Sequence, residues 1–352
     1  MSQFWSDLVH RLKPYTPGEQ PQINNLIKLN TNENPFPPSP AVIAAINNLD
    51  KDTLRLYPDP NAVELKDTLA DIYGLTRQHI FVGNGSDEVL AFAFCTFFKN
   101  SKPILYPDIT YSFYPVYCSF WEIDYRNIPL NDGFELLVED YMVDNGGIIF
   151  ANPNAPTGRA ISLDKVKSLL DFNTETVVIV DEAYVDFGAQ SAIELVDQYP
   201  NLLVIHTFSK SRNLAGLRVG YALGNPQLIE GLERVKNSFN SYPLDRLAIP
   251  AAVAALKDQT FFEQTCKVIR TTRTFLTLEL NKLNFHVVPS KANFVFASHT
   301  QIPADTLFNE LRKKRILVRY FNLPRINNHL RITVGTRKDM EMLISVLREI
   351  LG

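Results

Sequence analysis

The stretch Val177-Val178-Ile179-Val180-Asp181-Glu182-Ala183-Tyr184 decides how this chain folds. Four consecutive β-branched apolar residues show no alternation of polar and apolar faces. Such a run reads as a strand covered on both sides, the signature of a parallel sheet between layers of helices. The run ends on a carboxylate. A buried carboxylate is costly unless a cation, a metal or a protonated heterocycle meets it, or unless it caps the next loop.

Working outward, short β-rich segments at 80–82, 103–106, 148–151, 177–181, 202–207 and 219–223 alternate with helical stretches. Alternating units of this kind predict a large doubly wound α/β domain with a mostly parallel sheet, assigned to 41–245. After Asn240 the pattern changes. Long helical stretches at 247–257 and 261–283 precede short strand-like segments at 286–288, 293–297, 316–319 and 330–334, and a helix over 338–351. This predicts a smaller α+β domain over 246–352. The first forty residues hold Pro14, Pro17, Pro21, Pro35, Pro37, Pro38 and Pro40, so 1–40 reads as an extended arm packing with the small domain. Ser39-Pro40, a cap followed by proline at the first helical position, opens a helix to about Leu49.

Composition excludes several classes. Among 352 residues, 45% are apolar and 21% charged, which fits a globular chain of about two domains. Lys plus Arg number 35 and Asp plus Glu 38, a net charge of −3 with no electrostatic footprint for nucleic acid. Cys95, Cys118 and Cys266 are odd in number and widely spaced, which points to free thiols in a reducing cytoplasm rather than disulfides or a cysteine metal site. No secretory signal is visible after Met1, and the longest apolar run, 89–98, is too short to span a bilayer. No membrane association and no metal are expected.

In an open α/β sheet, ligands bind beyond the carboxyl ends of the strands. After 80–82 comes Gly83-Asn84-Gly85-Ser86-Asp87-Glu88, where Gly85 admits close backbone approach and Ser86 opens a helix whose free N–H groups suit a phosphate. After 177–180 stands Asp181. After 202–206 comes Thr207-Phe208-Ser209-Lys210, with Arg218 eight residues beyond. The hydroxyls and Arg218 suit an anionic phosphate. Lys210, desolvated near Arg218, has reason to lose its proton and act as a nucleophilic amine. A phosphate cradle, an acid for a ring nitrogen and an amine nucleophile are together what pyridoxal phosphate requires.

At this point the chain resembles the fold-type I pyridoxal-phosphate-dependent aminotransferases, and more closely the histidinol-phosphate aminotransferase family. The matching segments run in family order: Leu29-Asn30-Thr31-Asn32-Glu33-Asn34-Pro35, Tyr57-Pro58-Asp59, Gly83 to Glu88, Asn152-Pro153-Asn154-Ala155-Pro156-Thr157-Gly158, Val180 to Tyr184, Ser209-Lys210 with Arg218, and Leu330-Arg331-Ile332-Thr333-Val334-Gly335.

The resemblance implies that Lys210 carries the cofactor and moves the substrate proton, that Asp181 pairs with the ring nitrogen, and that Tyr184 bonds the ring hydroxyl oxygen. It implies that Tyr111 stacks on the ring, although Tyr111-Ser112-Phe113-Tyr114 also reads as core. Gly85, Ser86, Thr207, Ser209 and Arg218 match cofactor phosphate contacts, and Tyr57 matches one supplied by a neighbouring subunit, which implies a homodimer. The family has Asn immediately before Pro-Thr-Gly; here that place is Ala155, and Asn154 is expected to reach the ring instead. Tyr15, Arg319 and Arg331 match substrate contacts. The implied reaction exchanges the amino group of L-histidinol phosphate, a phosphorylated amino alcohol, with 2-oxoglutarate to give L-glutamate. Aromatic-amino-acid aminotransferases and threonine-phosphate decarboxylase share the framework and stand as alternatives. A ligand-binding regulator built on this fold is disfavoured, because the match begins by about Tyr15 and leaves no room for a helix-turn-helix segment.

Overall fold

The unbroken apolar runs form strands buried along their whole length. The computed structural model describes residues 2–352. In chain order the strands are β1 (Ile27–Lys28), β2 (Ile80–Asn84), β3 (Ile104–Pro107), β4 (Tyr125–Ile128), β5 (Ile148–Ala151), β6 (Val178–Asp181), β7 (Leu202–Thr207), β8 (Val219–Gly224), β9 (Phe285–Val288), β10 (Phe294–His299), β11 (Ile316–Leu317), β12 (Arg319–Tyr320) and β13 (Leu330–Thr333). Seven of them make one sheet in the order β2-β8-β7-β6-β5-β3-β4, parallel from β7 to β4, with β8 antiparallel to both its neighbours. Along β6, Val178 and Val180 enter the core on one face while Ile179 enters the core on the other. The sheet is therefore covered twice, as the missing alternation of its strands requires. This is the fold expected from the 177–184 stretch.

β4 escaped the sequence reading. It is an edge strand, Tyr125-Arg126-Asn127-Ile128, with only Ile128 buried. Its side chains mostly face water, so it carries no apolar run.

A second sheet, β12-β13-β10-β9, is antiparallel throughout and packs on the long helix Gln259–Lys282 and the last helix, Arg337–Leu351. The segment 316–319 was expected as one strand. It divides instead between two sheets: β11 pairs with β1 of the N-terminal arm, while Arg319 begins β12 and pairs with Arg331. The arm is thus tied through β1 to β11, next to the second sheet in sequence. It is not wholly extended, since Asp7–Arg11 forms a short helix with no buried residue.

The expected division at 245/246 is corrected by packing. The helix Ala248–Lys257 buries Ala248, Ala251, Ala252 and Leu256 in the same core as Val42, Leu65 and Val82 of the large sheet's side. The crossover to the second core comes along the next helix, where Leu276 and Leu280 join it. An alanine-rich helix gives no sign in sequence of which core it serves.

At the carboxyl ends of the central strands the backbones come very close. Gly220 of β8 lies between Gly83 of β2 and Thr207 of β7, and a β-carbon there would overlap the backbone of Gly85 and Ser86. Both obstacles are main chain and cannot swing aside. Gly220→Ala is expected to destabilise the fold by about 1–3 kcal/mol, seen as a lower urea midpoint at unchanged slope.

Candidate active site

Because β2, β6 and β7 run the same way, their carboxyl ends open on one side of the sheet, and β8 begins there. A cavity of about 550 Å³ lies over these ends. Asp181 closes β6 and Thr207 closes β7; Ser209 and Lys210 follow in the next loop, and Ser86 sits in the first turn of the helix after β2. All five line the cavity, together with Tyr111, Tyr184 and Arg218. The second sheet supplies Arg319 and Arg331, and the arm supplies Tyr15.

Asp181 is 4% exposed. Its Oδ2 accepts a hydrogen bond from Tyr114 Oη at 2.9 Å and its Oδ1 one from the Ala183 N–H at 3.2 Å. Burial pushes its carboxyl up to about 6, against the pull of these two donors. Behind it, Glu182 accepts from Ser191 and from the Ala192 N–H and meets His206 Nε2 at 2.9 Å. That pair ties β6 to β7 beneath the site.

Lys210 Nζ donates to the Thr31 carbonyl at 3.1 Å and stands 5.9 Å from the centre of the Tyr184 ring. Burial, then repulsion from Arg331, lowers its pKa to about 8. Tyr184 Oη accepts from Asn32 Nδ2 at 3.0 Å, and its ring meets Phe294 edge-on. Arg218 adopts a left-handed backbone, φ 51°, and its Nη2 pairs with Asp87 at 2.9 Å. Tyr111 Oη donates to the other oxygen of Asp87 at 2.8 Å. Arg331 donates to the Asn30 carbonyl, yet its Nε is buried without a hydrogen-bond partner among the described residues. Phe321 lies 5.4–5.5 Å from the guanidinium carbons of Arg319 and Arg331.

The aminotransferase class I and II family matches residues 24–347. Histidinol-phosphate aminotransferase 1 of Hydrogenovibrio crunogenus is 58% identical over all of this chain and 99% of its own, and histidinol-phosphate aminotransferase 2 of Dechloromonas aromatica is 58% identical over the whole of both. The chain belongs to the histidinol-phosphate aminotransferase family. It is an aminotransferase, of a class that works with pyridoxal phosphate. The fold is also that of the Sinorhizobium meliloti histidinol-phosphate aminotransferase, solved in complex with pyridoxal-5′-phosphate: TM-score 0.89 and 24% identity, over 100% of this chain and 98% of that one.

Against this family background, most residues expected from sequence gather in the one cavity, and three do not line it. Gly85 lies beside it, φ +78°, where a β-carbon would overlap the guanidinium of Arg218, so only glycine leaves that cation in place. Tyr57 is 79% exposed and stacks on Tyr242, outside the chain's own cavity. Asn154 is a correction. Its Nδ2 donates to the Ile109 carbonyl and to Thr157 Oγ1, and its Oδ1 accepts from Thr110 Oγ1. The side chain is spent on its own loop and on the neighbouring loop at 109–110, and Ala155 lines the cavity in its stead.

Sequence reasoning missed Tyr114, Asp87 and Asn32 as parts of the site. Asp87 and Asn32 lay inside quoted motifs without a role, and Tyr114 read as core. The donor set nevertheless fits a phosphorylated pyridine: a cationic cradle that glycine keeps open, a buried acid, and an amine of lowered pKa. If burial governs Lys210, half of its amine is neutral near pH 8, against roughly one in three hundred for an ordinary lysine. Amine-selective labelling of the cofactor-free protein, followed by mass spectrometry across pH, is expected to show Lys210 reacting with a midpoint near 8.

Proposed function

We propose that this protein exchanges the amino group of L-histidinol phosphate with 2-oxoglutarate, giving imidazole-acetol phosphate and L-glutamate in two half-reactions. The carrying observation is that Lys210, Asp181, Tyr184, Arg319 and Arg331 line one cavity. The names of the 58%-identical relatives support the same substrate.

Arg218, Ser209, Thr207 and the start of the helix at Gly85–Ser86 would hold the cofactor phosphate, with Asp181 at the ring nitrogen, Tyr184 at the ring hydroxyl oxygen and Tyr111 at the ring face. When bound, pyridoxal phosphate supplies an electrophilic carbon and a ring that accepts an electron pair. The protein's own groups do the rest. Lys210 Nζ, whose proton burial makes easier to lose than an ordinary lysine's, takes the proton from the amine-bearing carbon of the substrate and returns it at the cofactor side. Asp181 stays anionic at neutral pH, so it favours a proton on the ring nitrogen. Arg331, with an unsatisfied Nε, and Arg319 bind the anionic end of either substrate. Tyr15, 4.7 Å from Phe113, closes the arm's side of the cavity.

We read 1–40 as an arm, the chain to about 257 as the cofactor-binding domain and the remainder as the small domain. We further propose a homodimer in which Tyr57 of one subunit completes the phosphate site of the other. The exposed Tyr57 and its tether to the Arg246 guanidinium support this. The unpaired Cys95, Cys118 and Cys266 accord with a cytoplasmic enzyme. Among the described residues no helix is long and apolar enough to cross a membrane.

Five measurements test the reading. Borohydride should fix the cofactor on Lys210, and Lys210→Ala should abolish turnover; normal turnover by that variant would end the proposal. Arg331→Met should lower kcat/KM for histidinol phosphate by roughly 10–150-fold, and wild-type kcat/KM should favour histidinol phosphate over phenylalanine and threonine phosphate. Finally, mixing inactive Lys210→Ala and Tyr57→Ala subunits should restore activity, because a hybrid dimer keeps one intact site; no recovery would place Tyr57 elsewhere.

A further inference from the structure

We infer that Tyr114 is a positioning residue that holds Asp181 ionised and aimed into the cavity. The inference rests on the cofactor reading above. Tyr114 begins the helix Tyr114–Trp121, is wholly buried, and donates from Oη to Asp181 Oδ2 at 2.9 Å. With the Ala183 N–H on Oδ1, this fixes one direction on each carboxylate oxygen and leaves the remaining lone pairs for the cavity. The ring is itself held. It meets Tyr106 edge-on at 5.9 Å and Tyr111 edge-on at 5.7 Å, with Phe94 6.0 Å away. Rotating Tyr114 away from Asp181 would disturb all three contacts.

Only one direction of donation is possible. Burial and the neighbouring carboxylate hold the Tyr114 hydroxyl well above the ordinary tyrosine range, so it keeps its proton and Asp181 accepts. The other charged or titratable groups around Asp181 do not replace it. Asp87, from the helix after β2, repels the charge; His206 of β7 favours it but is bonded to Glu182; Tyr117 and Tyr184 keep their protons, since the Asp181 charge opposes their ionisation. Lys210 and Arg218 line the cavity but have their own hydrogen-bond partners, Thr31 and Asp87. Tyr114 is the only side chain among the described residues that donates to Asp181.

Tyr114→Phe keeps the ring and removes the donor. The carboxyl should then hold its proton to higher pH, by about one to two units. The probe is 4′-deoxypyridoxine 5′-phosphate, which keeps the ring nitrogen and phosphate but cannot bond covalently to Lys210. Its affinity for the cofactor-free protein, measured by calorimetry against pH, should fall in acid with a midpoint near 6 in the wild type and one to two units higher in Tyr114→Phe. Phe94→Leu disturbs the same aromatic cluster and leaves the hydroxyl alone; its midpoint should stay with the wild type. Weaker binding by Tyr114→Phe at an unmoved midpoint, or an equal shift in Phe94→Leu, would reduce Tyr114 to packing and overturn the inference. Failure of the wild type to bind the probe at any pH would remove the cofactor reading, and the inference with it.

Discussion

A carboxylate at the end of a completely buried strand is the constraint on which the rest of this structure turns. Asp181 is set there by β6, and β6 can be buried only because helices cover both faces of the sheet. Its charge is out of reach of bulk water, so the protein has arranged donors for it and a cavity in front of it. The same burial acts with opposite sign on Lys210. Desolvation favours the neutral form of both groups, raising the acid and lowering the amine. Their pKa values, about 6 and about 8, leave a neutral window in which the acid is mostly charged and the amine partly free. One physical cause thus prepares two groups for different work.

The segment Asn30–Pro35 joins the two sheets around that pair. Asn32 takes a left-handed backbone, φ 56°, and its side chain donates to Tyr184 while accepting from Thr333. Its carbonyl accepts from Asn293. Thr31 offers its carbonyl to Lys210 Nζ, and Asn34 donates to the Lys210 carbonyl and to Asn213. Every one of these contacts crosses more than a hundred residues of sequence. They explain how asparagines of a short polar run can be buried, as Asn30 and Asn32 are: such amides replace water for backbone that would otherwise be unsatisfied.

The strands of the large sheet were legible because full burial writes itself as unbroken β-branched runs, and the residues after 80–84, 178–181 and 202–207 were legible because such sheets open at their carboxyl ends. What remained hidden was direction. Asn154 and Ala155 differ by one place, and sequence spacing does not say which faces the cavity; the hydrogen bonds to Ile109, Thr157 and Thr110 do. Tyr114 belongs to an aromatic cluster and looks like packing, because a hydroxyl aimed at a carboxylate sixty-seven residues away leaves no local pattern. The Ala248–Lys257 helix is apolar enough for either core, so the boundary beside it could not be read.

Arg218 shows how the separate demands meet. It occupies a left-handed backbone conformation that a residue other than glycine adopts only at some cost, immediately before β8. That turn directs the guanidinium back over the start of the helix at Gly85, where no β-carbon could be accommodated. There it meets Asp87, which also receives Tyr111, while Tyr111 stands edge-on to Tyr114, the donor to Asp181. Arg218 and Asp181 are therefore the two ends of one continuous brace. Their separation is fixed by packed aromatic rings rather than by flexible side chains, and so the cavity keeps its charges at a set spacing before any ligand enters.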